Sequence, residues 1–309
     1  MKAAICTRYG PPEVLRIEDA DKPSPGPGEV CIRVIAAAVT SSDCYVRGLS
    51  LPFAYRVLAR LALGVRAPRR RILGMALAGQ VESAGPAVTS LKPGDQVFGL
   101  DRHRFGAYAE YVCWPADGVL AARPANLTYA EAAALPYGGL LAMHFLRKAH
   151  VSRGQRVLIY GASGAVGTSA VQLARHFGAD VTGVCSGANR QLVQSLGATA
   201  VIDYTTEDFT ARAETYDLIF DAVGKRKSSR AMRHSRRVLA PGGARLSVDD
   251  GTPKLLSSDL TLIRQLAESG QIRPVVDRCY RLDQIVEAHR YVDTGHKKGN
   301  VVVTLGPEA

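Results

Sequence analysis

The 309-residue chain lacks long hydrophobic runs and paired cysteine motifs. Its most apolar helix-like stretch, Leu135 to Leu146, is shorter than the ~20 residues that a membrane span requires. The N-terminus alternates like a strand and does not resemble a secretory leader. The six cysteines form no CxxC pair and lie far apart in the sequence, at Cys6, Cys31, Cys44, Cys113, Cys185 and Cys279. This pattern predicts free thiols in a reducing compartment, with the cytoplasm as the default.

Acidic residues are the minority, with 28 Asp and Glu against 39 Lys and Arg, and the formal net charge is +11. Thirteen of the basic residues lie in two acid-free segments, Arg56 to Arg71 and Lys225 to Arg237. The remaining 26 basic and 28 acidic residues leave the rest of the chain nearly neutral, so specific nucleic-acid binding is not predicted. Positive potential at Lys225 to Lys227 would attract a polyanionic cofactor, and peripheral contact of the first segment with an acidic membrane remains an alternative.

The order of the predicted elements indicates two domains and an α/β fold. Strand-rich runs such as Lys2 to Cys6 and Ala107 to Val112 dominate residues 1–125, with helical islands at Ser42 to Gly48 and Pro52 to Leu63. Residues 126–271 alternate between helix and strand, which is typical of right-handed βαβ units and a parallel sheet. A mixed tail, residues 272–309, follows. Within this part, the pattern predicts separate helices at 129–135 and 140–148.

A glycine-rich turn between a predicted strand and a predicted helix carries the strongest chemical signal. Gly161 allows a tight turn off the strand, Gly164 permits the backbone to approach a diphosphate, and Gly167 allows close packing of the helix. Helical N–H groups would then face the anion. Because the spacing is GxxGxxG instead of GxGxxG, a purely structural turn is the alternative. The candidate cofactor-binding residues here are Gly161, Ala162, Ser163, Gly164, Ala165, Val166 and Gly167.

The choice between the two nicotinamide cofactors depends on the end of the second strand of this unit. An acidic residue there would accept the ribose 2′-OH of NADH. The sequence instead offers Ser186, Asn189 and Arg190, and a guanidinium suits a 2′-phosphate. These residues predict NADPH as the cofactor, and the alternative is that Arg190 is only a solvated residue of the next helix.

Motifs along nearly the whole chain resemble those of the medium-chain dehydrogenase/reductase superfamily, and within it the zinc-free quinone oxidoreductase branch related to zeta-crystallin. The matching segments are Gly10 to Leu15, Leu91 to Phe98, Gly106 to Glu110, the glycine-rich turn, Leu196 to Ala198, Ile202 to Tyr204 and Gly295 to Val302. The resemblance implies a GroES-like substrate domain formed by residues 1–125 and completed by 272–309. It implies a doubly wound Rossmann domain for residues 126–271.

The resemblance also implies further cofactor contacts. Tyr204 would join Ser186, Asn189 and Arg190 around the 2′-phosphate, and Val223 would lie beside the nicotinamide. Related proteins pair a further strand across a dimer, but few residues are available for such a strand after 244–248, so a homodimer is an open question.

The resemblance further implies that no zinc is bound. Thr40 occupies the place of a Cys ligand of the zinc-dependent relatives, Met75 replaces a His ligand, and Ala76 replaces its acidic neighbour. Thr and Met are not ordinary ligands of catalytic zinc. Without a Lewis acid, the suitable hydride acceptors are already electron-poor, namely quinones and α,β-unsaturated carbonyls.

The predicted activity is therefore NADPH-dependent reduction of a small-molecule quinone or enone. The candidate catalytic residues are Thr40 and Tyr45, which would donate a hydrogen bond to the substrate carbonyl. An enoyl reductase of the polyketide or fatty-acid type is the alternative among enzymes. A non-catalytic NADPH-binding protein with basic patches is the alternative outside them.

Overall fold

Two parts of the chain that are distant in sequence form one β-rich unit. Met1–Tyr137 and Val276–Ala309 make up this first unit, and Gly138–Val275 makes up the second. The structure, a computed structural model, describes residues 1–49, 60–61, 63–224 and 229–306. The helical island expected at 52–63 lies almost entirely outside these residues, as do Arg56 and residues 225–227 of the two basic segments.

In chain order, the strands are β1 (Lys2–Cys6), β2 (Leu15–Asp19), β3 (Glu29–Val39), β4 (Ala76–Ala84), β5 (Gln96–Leu100), β6 (Tyr111–Pro115), β7 (Leu120–Ala122), β8 (Arg156–Tyr160), β9 (Asp180–Cys185), β10 (Ala200–Asp203), β11 (Tyr216–Asp221), β12 (Leu239–Ser247), β13 (Val276–Arg281) and β14 (Asn300–Thr304). The α-helices of the described residues are α1 (Ser41–Gly48), α2 (Tyr129–Lys148), α3 (Ala165–His176), α4 (Arg190–Ser195), α5 (Arg230–His234), α6 (Ser257–Glu268) and α7 (Ile285–Asp293).

The first unit is built around the long strand β3. The main sheet has the order β13-β14-β3-β4-β5-β7, with β6 also paired to β3, while β1 and β2 form a separate antiparallel pair. Strand β14 runs antiparallel to β3, with Val301 opposite Val39. The C-terminal segment therefore supplies strands of the sheet that the N-terminal part begins.

The second unit contains a five-stranded parallel sheet in the order β10-β9-β8-β11-β12. Strands β9 and β10 lie on one side of β8, and strands β11 and β12 lie on the other side. A parallel sheet with this reversal forms a ligand-binding crevice at the carboxyl ends of its strands. The predicted α/β class with a doubly wound sheet is confirmed. The domain boundaries at 125/126 and 271/272 stay a prediction, and the structure divides the chain at 137/138 and 275/276.

The core of the second unit consists of apolar side chains from the strands and the segments that cover them. Strand β8 is buried along Val157 to Tyr160, which fits an interior strand of a parallel sheet covered on both faces. One hydrophobic cluster in this core contains Leu158, Tyr160, Val184, Ile202, Phe209, Tyr216, Ile219, Met232 and Val238.

Helix α2 continues through Pro136, so the prediction of two separate helices is wrong. The glycines after this proline serve a close approach of two backbones: a Cβ on Gly138 would overlap the Ala165 carbonyl at the start of α3. A Cβ on Gly139 would meet only the Ile263 side chain, whose Cδ1 atom would be 2.9 Å away. Helix packing therefore explains the glycines within α2.

The predicted strand at 107–112 is confirmed only at its last two residues, because β6 begins at Tyr111. Phe105 and Gly106 have φ values of 57° and 97° and turn the chain before it. The N–H groups of Ala107 and Tyr108 then donate to the carbonyls of Gly74 and Leu73 in single bonds, so this segment makes backbone contacts without joining a ladder.

Strand β12 ends the parallel sheet among the described residues, and α6 follows at Ser257. None of the helices within the described ranges is both long and apolar enough to cross a bilayer.

We predict that Gly138→Ala lowers the free energy of unfolding by about 1–3 kcal/mol, because the new methyl group cannot displace a backbone carbonyl. Gly139→Ala is the matched control on the same helix. Its smaller overlap is offset by a gain in helix propensity of about 1 kcal/mol. Urea unfolding of both variants measures the difference, and equal stability of the two would contradict this account of α2.

Candidate cofactor site and the α1 segment

The glycine-rich turn adopts the conformation that its sequence predicts. Gly161 has a φ of 80°, in the left-handed region that favours glycine. A Cβ on Gly167 would overlap the Gly161 carbonyl, so α3 starts in direct contact with the turn. A Cβ on Gly164 would meet only the Gly161 carbonyl, at 3.5 Å. The fold therefore requires glycine at 161 and 167, whereas the space beside Gly164 is largely unoccupied by the protein.

The N-terminus of α3 begins at Ala165, with Gly164 as the N-cap residue and no side-chain cap. The first N–H groups of a helix have no intrahelical acceptor and carry partial positive charge. Gly161 and Ala162 both donate to the Val184 carbonyl, which holds the turn against β9. The turn therefore presents helical N–H groups at the carboxyl edge of the sheet, where an anion can accept them.

Three polar side chains lie together beside this turn. The Asn189 Nδ2 atom donates to Ser163 Oγ at 3.1 Å and to Ser186 Oγ at 3.2 Å. The Asn189 Oδ1 atom is buried and has no hydrogen-bond partner among the described residues. Because a buried polar atom without a partner costs free energy, this oxygen is suited to accept a hydrogen bond from a ligand. The structure thus brings together Ser163, Ser186 and Asn189, as the sequence predicts.

Arg190 is close to these residues but is already engaged by the protein. Its Nη1 atom donates to the Val201 carbonyl at 2.9 Å, and its Nη2 atom lies 3.8 Å from Glu207 Oε1. Glu207 also pairs with Arg212. The Arg190 side chain is 44% exposed, so part of it remains accessible to a bound anion.

Asp203 is a charged residue that the sequence analysis overlooked. A Cβ on Gly187, in the segment after β9, would overlap its carboxylate. Hydrogen bonds from Thr205 are the largest cause that lowers the pKa of Asp203, and the Gly187 N–H and the Arg190 charge lower it further. The sequence prediction of cofactor preference depended only on residues at the end of β9. Strand β10 pairs with β9, and Asp203 lies within the matching motif Ile202 to Tyr204. That motif was the sequence signal for an acidic residue at the carboxyl edge of the sheet.

Tyr204 and Val223, which the family resemblance suggested, are at the carboxyl ends of their strands. Tyr204 directly follows β10 and is 51% exposed. Val223 is 39% exposed and packs against the turn, where a Cβ on Gly161 would overlap its Cγ2 atom. Its N–H donates to Asp221 Oδ1 at 3.1 Å. Both are apolar surfaces at the same sheet edge as the glycine-rich turn.

Thr40 is the N-cap of α1 in the first unit. Its hydroxyl donates to Asp43 Oδ2 at 2.7 Å and accepts from the Asp43 N–H at 3.1 Å, and its own N–H donates to the same carboxylate. This reciprocal arrangement is a capping box. Thr40 is buried, and its single hydroxyl proton is occupied in this geometry. Tyr45 lies one turn later on α1 and is half-buried.

Asp43 is fully buried, and it accepts a further hydrogen bond from the Gly74 N–H at 3.1 Å. Burial raises the pKa of Asp43 to about 6, although hydrogen bonds from Thr40, Tyr108 and Gly74 oppose the shift. Met75, next to Gly74, is also buried. The start of α1 therefore holds a carboxyl group that changes charge close to neutral pH.

The other end of α1 is held by a buried polar cluster that no sequence motif predicted. The Cys44 thiol lies 3.2 Å from His289 Nδ1, and Arg47 Nη1 lies 3.1 Å from the same atom. Arg47 also pairs with Asp293 at 2.6 Å. Burial, and then the Arg47 charge, lower the pKa of His289 to about 3. These contacts tie α1 to α7 and indicate a structural role for this cluster.

Comparison with known proteins identifies related families. Residues 26–124 match the alcohol dehydrogenase GroES-like domain. Residues 165–265 and 251–303 match zinc-binding dehydrogenase models.

Individual relatives cover almost the whole chain. A 2-methylene-furan-3-one reductase from Solanum lycopersicum is 33% identical over 98% of this chain and 79% of its own length. An NADPH-dependent alkenal/one oxidoreductase, chloroplastic, from Arabidopsis thaliana is 31% identical with the same coverage. Among solved structures, the quinone oxidoreductase from Coxiella burnetii has a TM-score of 0.87 and 29% identity, and the match covers 99% of both chains.

The shifted pKa of Asp43 makes a prediction about stability and pH. Because the pKa rises from 3.8 to about 6 on folding, the folded state binds the proton more tightly. Stability from this group is complete below pH 3.8 and is lost as the pH rises through 6, by about 3 kcal/mol in total. Asp43→Asn should therefore gain stability relative to the unsubstituted protein between pH 4 and pH 7. Urea unfolding across this range measures the difference, and parallel pH curves would contradict the assignment.

Proposed function

The chain belongs to the medium-chain dehydrogenase/reductase superfamily, in its quinone oxidoreductase branch, and from this premise we propose an NADPH-dependent reductase of quinones or α,β-unsaturated carbonyls that works without zinc. It is an oxidoreductase, and members of the superfamily bind NAD(P)H. The observation that carries the proposal is the buried, unpartnered Asn189 Oδ1 atom beside the open N-terminus of α3.

The residues of the second unit suit a dinucleotide. The turn from Gly161 to Gly167, which includes Ala162, Ser163, Gly164, Ala165 and Val166, would hold the diphosphate through N–H groups of α3. Asn189 Oδ1 would accept from a ribose hydroxyl, while Ser186 and the exposed side of Arg190 would bind the 2′-phosphate. Tyr204 and Val223 would supply apolar contacts for the two ring systems.

Bound NADPH would supply a hydride, and the protein would contribute position, exclusion of water and hydrogen-bond donors. A quinone or enone needs only a donor at its carbonyl oxygen to stabilise the negative charge that develops there. We propose Thr40 and Tyr45 as the candidate donors. Because the Thr40 hydroxyl is donated to Asp43, Thr40 would have to exchange partners before it could donate to a substrate.

The residues present do not suit zinc, although two of the matching family models are named for it. Thr40 is committed to its capping box, Met75 is a buried thioether, and Ala76 offers no ligand. Within the described ranges, no three His, Cys, Asp or Glu side chains converge on a possible metal position. The proposed reaction therefore uses no metal-bound intermediate.

Other attributes of the chain remain predictions. The described arginines of the first basic segment are exposed, which is compatible with contact at an acidic membrane but does not identify a partner. A cytoplasmic location also stays a prediction, because one of the relatives is chloroplastic. Homodimer formation also stays an open question; β12 is the last strand on its side of the parallel sheet among the described residues.

Turnover can be measured from the loss of NADPH absorbance with a small quinone, an enone or an enoyl thioester as the acceptor. We expect reduction of the quinone or the enone, with activity unchanged after dialysis against a strong chelator. Preference for the enoyl thioester would favour the polyketide-type alternative. Tight NADPH binding without turnover of any acceptor would favour a non-catalytic protein, and loss of activity on chelation would contradict the zinc-free mechanism.

Cofactor preference should respond in opposite directions to two substitutions at the edge formed by β9 and β10. Arg190→Glu should weaken NADPH binding by about tenfold or more and affect NADH much less, because a charge-assisted hydrogen bond is lost. Asp203→Asn should strengthen NADPH binding several-fold, because it removes a negative charge beside the expected 2′-phosphate.

Calorimetric or fluorescence titration of both cofactors measures these changes. Arg175→Glu, the same charge change at an exposed position near the other end of α3, is the matched control. Equal effects of Arg190→Glu on NADPH and NADH would refute the assignment of the 2′-phosphate position.

A further inference from the structure

Two cysteines that are distant in sequence face each other across an antiparallel strand pair. Cys31 on β3 and Cys113 on β6 are direct partners, with Val30 opposite Trp114 and Ile32 opposite Val112 on either side. The register of this pair is uninterrupted from Glu29 to Arg33. Opposite residues of antiparallel strands project their side chains to the same face of the sheet.

The backbone geometry at this position is suitable for a disulfide. Directly opposite residues in an antiparallel pair have Cα atoms about 4.5–5.5 Å apart, and a disulfide requires about 4.4–6.8 Å. Each thiol shifts the pKa of the other, and the Cys31 thiol also contacts the Pro23 carbonyl, with the sulfur 3.7 Å from the oxygen. A bond between them would therefore need no movement of the strands.

The surroundings favour loss of one proton from this pair. The hydrogen bond from Cys113 is the largest cause that lowers the pKa of Cys31, burial opposes it, and the Lys22 ammonium lowers it further. The same hydrogen bond and burial raise the pKa of Cys113. Lys22 is held nearby, 4.0 Å from the centre of the Tyr111 ring and 2.6 Å from Glu82 Oε1. One sulfur can thus carry negative charge while the other keeps its proton.

Access from solvent differs between the two sulfurs. Cys31 is fully buried, whereas Cys113 is partly exposed. A small oxidant would therefore reach Cys113 first, and Cys31 would lie beside it on the neighbouring strand. This is the order of an attacked and a resolving cysteine.

We propose that Cys31 and Cys113 form a reversible dithiol–disulfide site that is oxidised by a peroxide. Cys113 attacks one peroxide oxygen and breaks the O–O bond, its proton passes to the Cys31 sulfur, and hydroxide leaves. This step yields a sulfenic acid at Cys113, and the hydroxide then removes the proton from Cys31 to give water. The Cys31 thiolate attacks the Cys113 sulfur and displaces the second hydroxide, which is protonated by solvent. In total, two thiols and one peroxide give one disulfide and two waters.

Mass spectrometry of the full-length protein tests this site directly. After brief treatment with hydrogen peroxide, the intact mass should fall by about 2 Da, the two hydrogens lost when a disulfide forms. Non-reducing peptide mapping should give one linked pair, Cys31 with Cys113, and dithiothreitol should restore both thiols. Cys113→Ser should abolish the linkage and the mass loss, while NADPH-dependent turnover should remain unchanged.

Cys279→Ser is the matched control, because Cys279 is an exposed cysteine on β13, and it should be oxidised like the unsubstituted protein. Lys22→Gln should slow disulfide formation several-fold, since it removes the neighbouring positive charge. A mass loss that persists in Cys113→Ser, a linkage through other cysteines, or addition of oxygen at Cys113 without a linked peptide would each overturn the proposal. These tests measure thiol chemistry and are independent of the proposed reductase activity.

Discussion

The arrangement of the second unit depends on contact between backbones at the start of α3. Gly167 abuts the Gly161 carbonyl, and Gly138 on α2 abuts the Ala165 carbonyl. A side chain at either glycine would push α3 away from its neighbours. Because the same helix turn is the expected binding place of the cofactor diphosphate, a packing constraint between main chains also sets where the candidate anion site lies. The fold and the candidate cofactor site therefore share one structural cause.

In the first unit, buried polar groups organise the segment that carries the candidate catalytic residues. Asp43 anchors the start of α1 through Thr40 and Gly74, and Arg47 anchors the other end through Asp293. Burying these charges costs free energy that their hydrogen bonds offset only when every partner is present. Thr40 consequently has a structural role as the N-cap of α1, and a role in binding a substrate would be additional to it.

The electrostatics of the cofactor edge depend on contributions from two adjacent strands. Arg190, at the start of α4, would attract a 2′-phosphate, whereas Asp203, at the end of β10, would oppose it. A binding site at the edge of a parallel sheet collects side chains from every strand that ends there. Cofactor preference at this candidate site would therefore depend on the strand order as well as on the residues after β9.

Local patterns in the sequence were sufficient for the α/β class, for β8 and β9, and for the glycine-rich turn, because each depends on neighbours within a few residues. The continuous helix through Pro136 could not be predicted in this way, because its glycines pack against α3 and Ile263. Asp203 beside Gly187, and Cys31 opposite Cys113, depend likewise on which strands become neighbours. Sequence alone determined the fold class, the glycine-rich turn and the family resemblance. Only the tertiary structure decided which distant side chains share a site, because strand order and register bring them within reach.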